Sequence, residues 1–392
     1  METLRVGIIG IGNMGSAHVA RIRKGDVKGM TLAAVCDTDE KKRAAAKETL
    51  ENVEVFAEYQ ALIGSGLCDA VIIATPHYFH PEIAVCALEH GLHVLTEKPA
   101  GVYTAQVLEM NAAAEKSGKV FGIMFNQRTT PIFAAAREIV RSGRLGEMKR
   151  VVWLITNWYR NQAYFDSGSW RATWAGEGGG VLLNQCVHNI DLWQWICGMP
   201  ARIRGFVQYG KYHNIEVDDD VTVYAEYENG ATGTFITTTG EYPGTNRLEI
   251  SGDRGKLVIE NGTLKLWELD GSEREFCFHS DTNTPKPQIT YTETPFTDKG
   301  TAHTGICQNF ADAVLHGTPL LSPGREGLNS LEIINAIYLS DWTQNTVELP
   351  VDKELYYRLL QERIKTSSLR QADDSAFRSN QDTLTDRWSV KW

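Results

Sequence analysis

The sequence predicts an α/β protein in two parts: an N-terminal parallel, doubly wound sheet, then a C-terminal α/β domain with a large, mostly antiparallel sheet. Three observations predict it. Residues 1 to about 125 alternate short apolar runs with helical patterns, as parallel strands joined by crossover helices do. From about residue 149 the chain changes to successive alternating or β-branched runs, parted by Gly, Asn and Asp turns. The first apolar run, Val6 to Ile9, breaks into Gly10-Ile11-Gly12-Asn13-Met14-Gly15 and then a helical pattern.

The N-terminal strands are expected near residues 4–10, 30–36, 53–56, 70–75, 93–97 and 120–125, with helices between them, for example 39–50, 80–90 and 103–117. Residues 131–142 read as a linking helix, with Pro131 in its first turn and Gly143 at its end. The later strands are expected at 149–157, 201–209, 221–227, 232–239, 247–252, 256–259 and 263–268, and turns such as Glu228-Asn229-Gly230 separate them. Helical patterns follow near 304–316 and 324–345. From Thr366 the chain is polar. Its composition reads as disorder, while Trp388 and Trp392 suggest an arm that docks on a neighbour. The expected domains are therefore 1–125, 126–365 and an arm over 366–392.

Bulk properties narrow the classes. The 392 residues carry a net charge of −10 with no Lys/Arg block, which argues against nucleic acid or an anionic membrane as partner. No apolar run approaches the ~20 residues of a membrane span. The chain enters a strand within a few residues, which leaves no room for a signal peptide. Seven scattered cysteines without Cys-x-x-Cys or Cys/His ligand spacing read as reduced thiols of a cytoplasmic protein, with no metal site.

The glycine motif sits in the strand, turn and helix context that a dinucleotide fingerprint requires. Gly10 makes the turn, Gly12 lets the backbone approach a pyrophosphate, and Gly15 lets the helix pack on the sheet. The helix N-terminus offers N–H groups to phosphates. Asp37 ends the second strand about 20 residues on, where a carboxylate binds the ribose 2′-hydroxyl of NAD and repels the 2′-phosphate of NADP. Lys41, Lys42 and Arg43 follow and leave room for some NADP. The alternative is a sheet that uses these glycines for packing alone.

Ligands of such sheets lie at the carboxyl ends of strands. Those ends carry Thr75-Pro76-His77, Glu97-Lys98-Pro99 and Asn126-Gln127-Arg128. Further on, Gly178-Gly179-Gly180 precedes a helical pattern in which Asn184, His188, Asp191 and Trp195 share one face. Between them, Trp158-Tyr159-Arg160, Tyr164, Trp170-Arg171 and Trp174 interleave aromatics with Arg, Asn and Gln. That mixture suits either a carbohydrate or an aromatic subunit interface. Asp218-Asp219-Asp220 reads as a solvated turn rather than a metal site.

Together the fingerprint, Asp37, Thr75-Pro76 with His80, Glu97-Lys98-Pro99, and Gly178-Gly179-Gly180 with His188-x-x-Asp191 resemble the Gfo/Idh/MocA oxidoreductases over residues 1 to about 350. The resemblance implies a Rossmann domain, then a domain whose open sheet supports the substrate pocket and a dimer or tetramer contact. It implies a cofactor site at Gly10, Ile11, Gly12, Asn13, Met14, Gly15, Asp37, Thr75, Pro76, His77, His80, Glu97, Lys98, Asn126, Trp170 and Arg171. The substrate is expected at Lys98, Arg128, Tyr159, Arg160, Trp170, Asn184, Gln185 and His188. It also suggests a cis Lys98–Pro99 bond.

Lys98 and His188 are the expected catalytic residues. Oxidation of a secondary alcohol needs a base on the hydroxyl while hydride leaves its carbon. The positive charge of NAD⁺ and desolvation both disfavour a neighbouring ammonium, so Lys98 suits that task. His188 would hydrogen-bond the reacting hydroxyl or relay its proton. Asn184 departs from the aspartate that many relatives carry there. It can position a group but cannot take a proton. His77 is a second departure, from the asparagine often found after Thr-Pro.

The expected activity is NAD-dependent oxidation of a sugar hydroxyl, at C3 of a glycoside or pyranose. The alternatives are an inositol dehydrogenase, a redox-neutral NAD-using glycosidase with Tyr164, Asp166 or Glu177 at the leaving group, and a non-catalytic NAD-binding regulator.

Overall fold

The computed structural model describes residues 3–284 and 286–368. The arm expected over 366–392, with Trp388 and Trp392, lies outside the described residues beyond Ser368. Strands and helices alternate first: β1 (Leu4–Ile9), α1 (Asn13–Arg23), β2 (Met30–Cys36), α2 (Glu40–Thr49), β3 (Glu54–Phe56), α3 (Tyr59–Gly64), β4 (Ala70–Ile73), α4 (Phe79–Glu89), β5 (His93–Thr96), α5 (Thr104–Ser117) and β6 (Phe121–Ile123). Then come α6 (Pro131–Arg141), β7 (Met148–Ile155), α7 (Gln162–Asp166), α8 (Val187–Cys197), β8 (Arg202–Tyr209), β9 (Asp218–Glu226), β10 (Thr232–Thr238), β11 (Asn246–Gly252), β12 (Gly255–Glu260) and β13 (Thr263–Leu269). The rest is α9 (Glu273–His279), β14 (Ile289–Pro295), α10 (Ala302–His316), α11 (Gly327–Thr343), β15 (Val347–Glu348) and α12 (Lys353–Thr366).

Local chemistry sets many of these limits. The Asp39 side chain caps α2 by accepting from the Lys41 N–H at 2.8 Å. Pro131 opens α6, where its missing N–H costs nothing. Gly118, at φ +64°, ends α5 in the left-handed region.

The chain forms two compact units. Residues up to Thr129 with Gly300–Leu331 make one, and Thr130–Lys299 with Glu332 onward make the other. This corrects the contiguous boundary expected at 125/126, because a late segment returns to the first unit. The reason is apolar burial: Ile306, Cys307 and Phe310 on α10 join the core built from Leu4, Val6 and Ile8 of β1. Within that unit the Arg128 guanidinium, fully buried, pairs with Glu326 at 2.5 Å and donates to the Leu321 carbonyl at 3.1 Å. The structure therefore corrects Arg128 from a substrate contact to the anchor of the returning segment.

The first unit's sheet has the order β3-β2-β1-β4-β5-β6, and every pair is parallel. β4 is buried at all four positions, as a strand covered on both faces must be. The second unit's sheet has nine strands in the order β14-β13-β12-β11-β7-β10-β9-β8-β15. It is antiparallel except where β10 pairs with β7. β9 alternates buried and open positions, which gives a covered and an open face. On the covered face Phe235 stacks on Trp193 of α8, with centroids 5.5 Å apart, and Trp153 meets Phe133 of α6 at 5.9 Å.

The sequence pattern leaves β14 and β15 unseen. β14 is exposed at all seven positions of an edge, so no apolar alternation marks it. β15 has only two residues. Among the described residues no helix is long and apolar enough to cross a membrane. All seven cysteines are free thiols.

Candidate active site

In the first unit the three glycines meet different surroundings. A Cβ on Gly10, at φ +87°, would lie 2.7 Å from the Ala74 carbonyl oxygen, and one on Gly15 would lie 1.8 Å from the Gly10 carbonyl oxygen. A Cβ on Gly12 would have nothing within 4 Å among the described residues. Gly10 and Gly15 are therefore held by the fold, whereas Gly12 faces open space at the N-terminus of α1. Gly12→Val is expected to weaken NADH binding at least tenfold with the melting temperature unchanged. Gly15→Ala is expected to lower the melting temperature, because backbone must move. NADH titration beside thermal melts checks both, and equal behaviour of the two variants would contradict the assignment.

Asp37, at the end of β2, accepts from the Ile11 N–H at 2.9 Å and from the Asp39 N–H at 2.9 Å, with the Lys42 ammonium 3.4 Å away. It thus ties the glycine loop to the second strand. Asn13 and Met14 open α1. Thr75 Oγ1 and Asn126 Oδ1, just past β4 and β6, are buried without a hydrogen-bond partner among the described residues. Two orphaned oxygens at strand ends and an open glycine cradle fit a dinucleotide, which offers hydroxyl, amide and phosphate partners.

Two residues expected at the cofactor do structural work instead. His80, 1% exposed, spans the ends of β4 and β5: Nε2 meets the Thr75 carbonyl at 2.7 Å and Nδ1 the Pro99 carbonyl at 2.8 Å. Burial lowers its pKa, against the two carbonyls, which favour the cation. Glu97 turns inward and meets His18 Nε2 of α1 at 2.8 Å, both groups buried. Burial raises the Glu97 pKa, but the His18 hydrogen bond and charge outweigh it and hold the carboxyl at about 2. Burial lowers the His18 pKa, and Cys307 and Glu97 outweigh it and bring it to about 9. The carboxylate is the stronger partner, since the Cys307 sulfur is 3.8 Å from His18 Nδ1. The Arg21 guanidinium, which can only donate, stands 2.9 Å from the same nitrogen, and this contact favours the neutral ring against the upward shift that Glu97 imposes.

Lys98 is 8% exposed. It follows the inward Glu97 and precedes Pro99 through a cis bond, and its N–H lies 3.3 Å from Glu97 Oε2. The strand end is therefore fixed on both sides of Lys98, by Glu97 on α1 and by Pro99 on His80. His77 is buried, its ring 6.1 Å from that of His80. Pro76 closes the turn by accepting the Phe79 N–H at 3.0 Å.

In the second unit the structure gathers Tyr164, Arg171, Glu177, Asn184 and Gln185. The Tyr164 hydroxyl oxygen receives Arg171 Nη1 at 2.9 Å, Gln185 Nε2 at 3.0 Å and Asn184 Nδ2 at 3.5 Å. Glu177 is buried. One oxygen accepts the Ala172 N–H at 2.6 Å, the other accepts the Asn184 amide, and Arg171 stands 4.0 Å away. Burial raises the Glu177 pKa, against the Arg171 charge and the two donors. The Arg171 guanidinium also lies over the Trp170 ring, 4.7 Å from its centroid. Arg160 lies over Trp158 at 5.7 Å and over Tyr164 at 5.1 Å. Tyr159 faces outward, against Tyr242. Asp166 ends α7 and accepts from Gln162 at 3.0 Å.

His188 and Asp191 lie on α8, buried, and Asp191 accepts from Gln194 at 3.0 Å. Asn184 is not on that helix, which corrects the expected common face. Its N–H bonds the Gly180 carbonyl at 2.9 Å in the turn before α8. The cause is Asp218, whose carboxylate accepts the Gly180 N–H at 2.6 Å and the Leu182 N–H at 2.9 Å and so shapes the glycine turn.

Asp218 and Asp219 are buried at the start of β9, which corrects the solvated turn expected there. Burial raises the Asp218 pKa while Tyr338 donates to it at 2.5 Å. Asp219 accepts N–H bonds from Lys211, Tyr212 and His213 at 2.9, 2.8 and 3.1 Å. Only the acid at a strand start hinted at Asp218, and nothing in the sequence tied it to Gly180. Among the described residues no group of three or more His, Cys, Asp or Glu could hold a metal ion.

Comparison with known proteins adds a lineage to this geometry. Residues 4–125 match a family model described as an oxidoreductase family with an NAD-binding Rossmann fold, and residues 133–258 match a GFO/IDH/MocA C-terminal domain. An inositol 2-dehydrogenase of Corynebacterium glutamicum is 26% identical over 333 residues, 82% of this chain and 89% of that protein. A D-glucoside 3-dehydrogenase of Escherichia coli is 31% identical over 200 residues, 50% of this chain and 55% of its own length. The WlbA dehydrogenase of Chromobacterium violaceum, solved with NADH and UDP-GlcNAcA, has a TM-score of 0.74 and 26% identity, covering 90% of this chain and 97% of that one.

Proposed function

The chain belongs to the Gfo/Idh/MocA oxidoreductases, NAD-dependent dehydrogenases of sugars and cyclitols, and on that premise we propose that it oxidises a secondary hydroxyl of a sugar, at C3 of a glycoside or pyranose. The carrying observation is the cluster of Tyr164, Arg171, Glu177, Asn184 and Gln185 beside the Trp170 ring. Directed amide, guanidinium and phenol groups next to an aromatic face match the hydroxyls and C–H face of a pyranose. The similarity to a D-glucoside 3-dehydrogenase supports the ring position.

When bound, NAD supplies the hydride acceptor. The chain's own residues do the rest. Gly12, Thr75 and Asn126 would hold the cofactor, and Asp37 would favour NAD over NADP. Lys98 takes the proton of the reacting hydroxyl, and its placement next to the fixed Glu97 and Pro99 limits its freedom. His188, in the second unit, is the other expected catalytic group, a hydrogen-bond partner or proton relay for a substrate hydroxyl. Asn184, an amide, cannot take up a proton and so only positions. The same reading makes the protein a cytoplasmic homodimer or homotetramer.

The similarity to inositol 2-dehydrogenases supports a second reading, a cyclitol substrate. Purified protein with NAD, given methyl glucosides and inositols, separates the two. Growth of the reduced-nicotinamide absorbance with glucosides alone supports the glycoside reading, and growth with inositols alone replaces it. Sugar cleavage without added NAD, with Tyr164, Asp166 or Glu177 at the leaving group, would instead make the protein a redox-neutral glycosidase.

A further inference from the structure

We propose that the Tyr164 hydroxyl donates a hydrogen bond to a hydroxyl oxygen of the substrate and so selects which sugars bind, an inference that rests on the sugar-dehydrogenase reading. A phenol oxygen carries one proton and accepts from about two donors. Around Tyr164 every polar neighbour is a nitrogen that donates: Arg171 Nη1 at 2.9 Å, Gln185 Nε2 at 3.0 Å and Asn184 Nδ2 at 3.5 Å. Arginine has no acceptor to offer. The Asn184 amide is oriented by Glu177, whose carboxylate takes the same NH₂ group. The accepting capacity of the phenol is thus filled, while its own proton meets no acceptor among the described residues.

The ring is held in place. The Arg160 and Arg171 guanidinium groups lie 5.1 and 4.8 Å from its centroid, and Phe165 meets it edge-on at 5.2 Å. Asn161 caps the short helix by accepting the Tyr164 N–H at 3.0 Å. Tyr164 as a whole is only partly buried. A fixed donor among cationic and amide groups favours an electron-rich oxygen. A sugar hydroxyl supplies one and can pass its own proton on to a neighbour.

The test measures binding rather than turnover. Full-length wild type and Tyr164→Phe, both saturated with NADH so that no hydride leaves the sugar, are titrated by calorimetry with methyl β-glucoside, its four monodeoxy derivatives and myo-inositol. The variant should bind the parent glucoside about tenfold more weakly, the loss of one neutral hydrogen bond. For one deoxy sugar, the one lacking the recognised hydroxyl, the two proteins should bind equally. Unchanged NADH affinity shows that the variant is folded. Equal affinity of both proteins for the parent, a tenfold loss on every deoxy sugar alike, or no sugar binding by wild type overturns the proposal. Wild type that binds glucosides but never reduces NAD with them overturns the dehydrogenase reading and leaves the Tyr164 contact standing.

Discussion

Replacement of Lys98 by Met is expected to lower kcat by ~10³-fold or more, with NADH affinity nearly unchanged. The charge and the base disappear together, while the aliphatic stem keeps most of the packing. Lys98→Arg should be almost as inactive, because a guanidinium stays protonated and cannot accept the hydroxyl proton. This pair separates a base from a mere charge: a role in binding an electronegative group would survive in the Arg variant. The measurement is NAD reduction by the best sugar of the panel, together with NADH titration. An Arg variant with a tenth or more of wild-type kcat would remove Lys98 from the role of base.

The second large effect falls on stability. Glu97→Ala should cost about 3–5 kcal/mol, because it leaves the buried His18 ring, beside the Arg21 guanidinium, without its carboxylate partner. The intact pair also sets a pH window. Glu97 is lowered from 4.5 to about 2 in the fold, so its contribution is present above 4.5 and is lost as pH falls through 2. His18 is raised from 6.5 to about 9, so its contribution is full below 6.5 and is lost as pH rises through 9. One ion pair underlies both shifts, and its energy is counted once.

His303, its ring 6.0 Å from His18, works the other way. Burial holds it at about 4, below its usual 6.5, so stability falls as pH drops from 6.5 towards 4. The three groups together place the optimum near pH 6.5. Melting temperature should fall from there towards pH 9, and in Glu97→Gln that alkaline slope should flatten. An equal alkaline slope in variant and wild type would show that the pair does not carry the dependence.

Much of the chain was legible as sequence. Strand β2 falls on 30–36 as expected, and Gly10, at φ +87°, sits in the turn after β1 where a Cβ would be crowded. These are local properties. An apolar run buried on both faces, or a turn that only glycine can make, is written in neighbouring residues. Glu97 shows where that stops. Its place beside Lys98 and Pro99 was plain, but the direction of its side chain depended on His18, 79 positions earlier in the chain.

The same limit explains the other corrections. Arg128 and the acids at 218–220 carry charge, and charge in a sequence reads as surface or ligand. Only partners from distant segments, Glu326 for Arg128 and the Gly180 and Leu182 N–H groups for Asp218, make those charges tolerable in the interior. The sequence by itself determined the two-part α/β architecture, the dinucleotide loop and the identity of Lys98 and His188 as candidates. The tertiary structure alone decided that residues 300–331 return to the first unit, that Glu97 and His80 brace the lysine, and that Tyr164 stands among donors. Periodicity and turn chemistry act over a few residues, whereas the pairing of buried polar groups is settled only when remote segments are packed together.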